Sequence, residues 1–172
     1  AGSGKTRVLV HRIAWLIQSG QVDPAGILAL TFTNKAAKEM LARLSTMLPV
    51  STRGMWIGTF HGLAHRLLRA HPLDANLPED FQIIDSDDQL RLLKRILRNL
   101  NLDEKQWVPR AVTGYINSKK DEGLRPHHID VYDPVGRTYQ KIYATYQETC
   151  DRAGLVDFAE LLLRAHELWL HK

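Results

Sequence analysis

Residues 2–6 read Gly2-Ser3-Gly4-Lys5-Thr6 and run straight into a stretch with helical apolar spacing. Residues of these types, in this order, can hold phosphate. Glycines let backbone amides approach phosphate oxygens, and the N-terminus of the following helix offers unpaired N–H groups and a favourable dipole. Lys5 can reach β- and γ-phosphates, and the Thr6 hydroxyl is suited to ligate Mg2+. Arg7 adds a second cation beside them. The residues match the second half of a P-loop, whose first glycine and preceding strand would lie upstream of Ala1. The sequence begins inside this motif without a methionine, so a piece of a longer protein is expected.

Hydrolysis in this class also needs a carboxylate at a strand end to hold Mg2+. Two apolar runs end in aspartate: Phe81-Gln82-Ile83-Ile84-Asp85 and Leu155-Val156-Asp157. Each is followed at once by a helix-capping sequence, so both aspartates are read as caps. The 172 residues are therefore expected to lack their own Walker B carboxylate, and with it independent turnover.

The elements that must position the loop follow from periodicity. Lys5 to Ser19 has helical spacing (Val8, Leu9, Ile13, Leu16, Ile17) and stops at Gly20. After a turn at 23–26, the apolar run from Ile27 to Phe32 predicts a buried strand. Asn34 can cap a helix from Lys35 to about Leu48, with Ala37, Met40, Leu41, Leu44 and Leu48 on one face. Met55 to Thr59 reads as a second strand. This is the rhythm of a parallel α/β sheet.

Beyond it the pattern turns helical. Helices are predicted for 61–71, from a capping box at Ser86-Asp87-Asp88-Gln89, from Pro109 to near Gly123, and from Pro134 to Gly154. The last of these is lined by Tyr139, Ile142, Tyr143 and Tyr146, read as core. A second capping box, Asp157-Phe158-Ala159-Glu160, opens a final helix containing Leu161, Leu162, Leu168 and Trp169. The expected fold is α/β: a partial parallel sheet over residues 1–60 and a mainly α-helical subdomain over 61–172.

Composition limits the function classes. With 44% hydrophobic and 24% charged residues the chain can bury a core. A single cysteine, Cys150, excludes a disulfide framework and fits a reducing compartment. No apolar run approaches the roughly 20 residues of a membrane-spanning helix. The net charge of +4 is unevenly spread: residues 1–60 carry seven Lys/Arg against two Asp/Glu, and residues 91–128 nine against four. Two basic blocks point to an anionic partner, for which nucleic acid is the usual one, or to two solvated helix faces.

Three further segments narrow the P-loop reading. Leu28-Ala29-Leu30-Thr31-Phe32-Thr33-Asn34-Lys35-Ala36-Ala37 resembles motif Ia of superfamily 1 DNA helicases, and Gly58-Thr59-Phe60-His61-Gly62-Leu63-Ala64 their motif Ib. Asp157-Phe158-Ala159-Glu160-Leu161-Leu162 resembles the segment that lies shortly before the Walker B strand in that family. Order and spacing agree over the whole chain, which is most similar to the UvrD/PcrA/Rep family. The resemblance implies a RecA-like ATP-binding motor domain (1A) in residues 1–60 and its helical insertion (1B) in 61–172. It implies an ATP- and Mg2+-dependent, single-stranded-DNA-stimulated 3′→5′ helicase of nucleotide excision and mismatch repair. Such an enzyme would act on single strands and single-strand/duplex junctions, with repair-protein partners, in a bacterial cytoplasm and at the nucleoid, with no membrane. Ala1, Gly2, Ser3, Gly4, Lys5, Thr6 and Arg7 would hold the nucleotide, with Lys5 and Thr6 catalytic and Thr6 on Mg2+. Phe32, Thr33, Asn34, Lys35, Thr59, Phe60 and His61 would lie along the DNA strand.

The residues themselves agree with this. An aromatic beside hydroxyl, amide and cation is the mixture that single-strand binding needs. Without the resemblance the residues read rather as Phe32 in the core and Asn34 as a helix cap. Arg91, Lys94, Arg95 and Arg98 share one side of a helix, and Lys119, Lys120 and Arg125 cluster later. Either block would hold nucleic-acid backbone or be a solvated face. His61 and His65 have zinc-pair spacing, but Gly62 stands where a zinc protease has its glutamate. The alternatives left open are another P-loop ATPase or phosphotransferase with a helical lid, and a DNA- or partner-binding module without turnover.

Overall fold

The N-terminal helix α1 (Ser3–Gln18) already contains Gly4, Lys5 and Thr6 in its first turn, so the helix starts earlier than its apolar spacing indicates. The computed structural model describes residues 3–171, apart from the Ser3 side chain; the phosphate contacts expected of Ala1, Gly2 and that side chain lie outside what is described. Val10, Ile13 and Ala14 form its buried stripe. Val8 and Leu9, expected on that stripe, are exposed. A run this rich in apolar residues offers two stripes, and packing selects the one that starts at Val10.

Strands β1 (Leu28–Thr31) and β2 (Trp56–Thr59) pair in parallel, with Leu28 opposite Trp56 and Thr31 opposite Thr59. The crossover between them is α2 (Asn34–Met47), which buries Ala37, Met40 and Leu44. Its cap is Thr33, one residue before the expected Asn34: the Thr33 Oγ1 accepts from the Ala36 amide at 3.1 Å. Val10, Ile13, Ile27, Ala29, Met40, Leu44, Met55 and Ile57 close one core.

The chain divides into two compact units, one up to Ala64 and one from His65 onward. Helix α3 (Phe60–Ala70) spans the division. The second unit contains α4 (Ser86–Asn99), α5 (Pro109–Asp121), α6 (Pro134–Ala153) and α7 (Phe158–His171). Its core holds Leu93, Leu97, Val112, Ile116, Ile142, Tyr143, Tyr146 and Cys150. Tyr143 and Tyr146 are fully buried and Tyr139 packs against them from the edge, as their spacing indicates. Trp169, in contrast, is 72% exposed on α7.

Two details of this unit differ from the sequence reading. Asp85 caps α4, as its place at the end of an apolar run indicates, its Oδ1 accepting from the Asp88 amide at 2.8 Å, and the box expected from Ser86 therefore lies one residue inside the helix. Gln82–Ile83 (β3) and Leu155–Val156 (β4) form a short parallel ladder that pattern alone does not reveal. Asp157 caps α7 as expected, accepting from the Glu160 amide at 2.8 Å. Gly154 ends α6 with φ +65°, and a Cβ there would lie 2.8 Å from Pro78 Cγ, so only glycine fits.

Candidate functional site

Parallel pairing in this register makes both strands of the first unit end together, at Thr31 and Thr59. The residues that follow emerge at one edge, where open parallel sheets bind ligands. Phe32 stands there 97% exposed and Phe60 51% exposed, so Phe32 is not core. Asn34, Lys35 and His61 are exposed beside them. The hydroxyls have structural duties: Thr31 Oγ1 donates to the Thr33 carbonyl at 3.0 Å, and Thr59 Oγ1 accepts from the Gly62 amide at 3.1 Å. They fix the two turns and aim the aromatics outward. The edge thus presents two exposed rings among amide, imidazole and ammonium groups.

At the start of α1, Lys5 and Arg7 are exposed and Thr6 is half-buried. Among the described residues, and apart from its chain neighbours and its own helix backbone, no heavy atom lies within 4 Å of where a Gly4 side chain would begin. A cleft of about 390 Å³ opens alongside, lined by Gly4, Arg7, Val10, His11, Arg43, Thr46 and Met47. His11 Nδ1 lies 2.9 Å from the Arg7 carbonyl oxygen, which orients the ring. Two guanidinium groups, an imidazole and a hydroxyl line this cleft, and no carboxylate does among the described residues, so it suits a polyanion. His11, Arg43 and Thr46 are additions to the residues the sequence singled out. The spacing Arg7/His11 could have found the first; Arg43 and Thr46 come from α2 through tertiary packing.

The second unit overturns one expectation. Lys120 is 2% exposed and Arg125 8%, so neither forms a surface for nucleic-acid backbone. Lys120 Nζ sits 2.8 Å from Asp157 Oδ2 and 2.7 Å from Glu160 Oε2. Arg125 donates to both Glu160 oxygens, at 2.9 and 2.6 Å, and also to Glu167; Arg164 Nε donates to Glu160 Oε1 at 2.9 Å. Tyr146 donates to Asp157 at 2.7 Å. Lys119 pairs with Glu122 at 3.5 Å. On α4 the picture is a solvated face: Arg91 pairs with Asp88, Arg98 with Glu104, and Arg95 is exposed.

Burial works against the Glu160 carboxylate, yet the neighbouring Lys120, Arg125 and Arg164 charges outweigh it and bring its pKa down to about 2. Burial pushes the Cys150 thiol up to about 12, which leaves it unreactive in the folded state. The Glu160 shift has a pH consequence. A carboxylate whose folded pKa is depressed from 4.5 contributes stability above that value and loses it as pH falls toward about 2. The stability gap between the wild-type chain and Glu160→Gln is expected to be full at neutral pH and to narrow from pH 4.5 to 2. Urea midpoints at several pH values measure it, and a gap independent of pH would contradict the assignment.

Among the described residues no group of three or more His, Cys, Asp or Glu is arranged to hold a metal, and His65 Nε2 accepts from Arg69 at 3.0 Å. No described helix is long and apolar enough to cross a membrane.

The UvrD/REP helicase N-terminal domain family matches across residues 1–172. The chain belongs to this family. Over 173 residues, covering all of this chain, it is 70% identical to DNA helicase II of Escherichia coli (strain K12). It is 60% identical to DNA helicase II of Haemophilus influenzae across its whole length, and 40% identical to the ATP-dependent DNA helicase PcrA of Bacillus subtilis across 98% of it. The chain spans about a quarter of the length of these relatives, 24% of the E. coli protein. Its first helix opens with Gly4, Lys5 and Thr6, and its sheet edge presents the exposed rings of Phe32 and Phe60.

Proposed function

We propose that the chain is the N-terminal part of an ATP-driven DNA helicase, with a single strand running along the edge formed by Phe32–Lys35 and Thr59–His61. The observation that carries this is the 97% exposure of Phe32 where both parallel strands end. An aromatic held in water by a capped turn serves no core, and it is what base stacking uses. Lys35 and the turn amides supply backbone contacts without sequence readout, as a motor on any sequence requires.

In this reading residues up to about 60 are part of motor domain 1A, and the helical remainder is subdomain 1B. Lys5 holds the β- and γ-phosphates at the first turn of α1, Thr6 orients Mg2+, and Arg7 with Arg43 flanks the rest of the nucleotide. Bound MgATP supplies the phosphoanhydride whose cleavage drives movement. Asp85 and Asp157 are engaged as helix caps, so the carboxylate that completes the Mg2+ site belongs to the longer parent. Little turnover is expected from the 172 residues alone. The resemblance supports 3′→5′ polarity, stimulation by single strands, work at single-strand/duplex junctions in excision and mismatch repair with repair-protein partners, and a cytoplasmic, nucleoid-associated place of action.

Phe32→Ala in the full-length parent tests the DNA surface. Single-strand affinity, read by fluorescence anisotropy at fixed salt, is expected to fall by roughly 1–3 kcal/mol, the scale of one stacked base. The thermal midpoint should not move, because the ring buries almost nothing. Unchanged affinity would remove Phe32 from the strand path.

A further inference from the structure

Helix α7 is apolar on two sides. Leu161, Ala165 and Leu168, at i, i+4 and i+7, form the side buried within the second unit. Phe158, Leu162 and Trp169, at i, i+4 and i+11, share the opposite side, and Leu170 follows them. There Trp169 is 72% and Leu170 66% exposed, and the polar residue between them and Leu162 is a single histidine, His166. A helix face that meets only water carries charge, whereas a helix apolar on both sides is an inner element.

The outer side continues into a cleft. It has a volume of about 590 Å³ and is lined by Leu168 and Trp169 of α7, by Leu67 of α3, and by His71 and Asp74 of the turn after α3. His71 Nδ1 lies 3.9 Å from Asp74 Oδ2, so the two polar lining residues face each other and the rest of the lining is apolar. Leu73, in the same turn, is 72% exposed. Single exposed leucines are ordinary on any surface; a tryptophan and leucines gathered at one helix end mark a surface that is covered.

Length and position indicate what covers it. The chain spans 24% of the E. coli relative, so a parent of that length has about three times as much polypeptide again. Helix α7 runs through His171, and the chain that follows Lys172 in the parent therefore leaves within one turn of Trp169. Consecutive elements are usually neighbours in space, and the connections between them are short. A stable interface between two copies buries roughly 1,200–2,000 Å², more than a few side chains supply.

We propose that Trp169, Leu170, Leu73 and Leu67 form the docking face for the segment of the parent that directly follows Lys172. That segment turns back on α7 and lays apolar side chains into the cleft beside Trp169. The outer side of α7 is thereby dry in the parent and wet in the 172-residue chain. The face does not depend on the nucleotide or DNA reading of the first unit.

The test places the photoreactive residue p-benzoylphenylalanine at position 169 of the full-length parent, followed by illumination and peptide mapping. The adduct is expected within roughly 30 residues after Lys172, the span of a short connection and one or two elements. An adduct elsewhere in the parent, on a second copy or on no peptide at all overturns the proposal. A second measurement keeps the native side chain. Parent and 172-residue chain are labelled with 5-fluorotryptophan, and Trp169→Phe assigns the fluorine resonance by its loss. The shift of that resonance between H2O and D2O is expected to be full-sized in the chain and at least halved in the parent. An equal shift in both overturns the proposal, and so does a small shift in the chain that grows on dilution, which would make the cover a second copy.

Discussion

Glu160→Ala is expected to destabilise the second unit by roughly 3–5 kcal/mol, the cost of removing one partner from a buried ion pair. Glu160 is 1% exposed and accepts from Lys120, Arg125 and Arg164 together, so its loss strands cations on three separate segments. Asp157 retains Lys120 at 2.8 Å, and Glu167 and Asp151 retain one arginine each, which keeps the loss from being larger. Cys150 gives a clean readout. It is the chain's single cysteine, 1% exposed in the core of this unit, so its reaction with a thiol reagent reports opening there alone. Faster labelling should accompany the drop in urea midpoint. A loss below about 1 kcal/mol would mean the three cations re-pair without Glu160, and that it does not centre the network.

The same network marks where reading the sequence stops. Charge alone groups Lys120 with Lys119 and Arg125, yet it lies four residues past Ile116 and eight past Val112, on their buried face. The spacing was visible; what it lacked was a counter-charge, and Asp157 and Glu160 lie 37 and 40 positions further along the chain. Both capping boxes illustrate a related limit. Asp157 and Glu160 have the residue types of a reciprocal cap, and Asp157 does accept from the Glu160 amide, but the Glu160 carboxylate turns inward to the arginines. At α2 the cap falls one residue earlier than expected, because Thr33 has the extended backbone a cap requires; at α4 Asp85 caps as the apolar run it ends indicates, one residue before the box at Ser86.

What was legible came from local signals: the helices by period, the two strands by their bounded apolar runs, and the stop at Gly154. The strand-edge cluster was legible too, because residues after two parallel strands must share an edge. Whether Phe32 faced solvent or core was not, since one aromatic after a strand fits either. The β3–β4 ladder joins two-residue segments more than 70 positions apart, and nothing local encodes that pairing. Arg43 and Thr46 escaped for the same reason: they reach the cleft beside Gly4 through the packing of α2 on α1.

Lys5→Ala in the full-length parent is expected to lower ATP turnover by at least about 100-fold, the scale of losing one preorganised donor from a centre of developing charge. Lys5 is exposed in the first turn of α1, so the substitution removes no core contact and should leave the fold intact. DNA affinity should be nearly unchanged, because the strand edge is built from other residues. Phe32→Ala reverses the pattern: weaker strand binding, with turnover in the absence of DNA preserved. Measuring turnover with and without single-stranded DNA across a salt series separates the two. If one motor joins both surfaces, wild-type turnover rises steeply with DNA and the rise shrinks as salt screens the backbone. Phe32→Ala then needs more DNA for the same rise, and Lys5→Ala shows none at any DNA concentration. Turnover unchanged in Lys5→Ala would remove the phosphate role from α1. Turnover indifferent to DNA in the wild type would leave a nucleotide hydrolase whose substrate is not the strand at this edge.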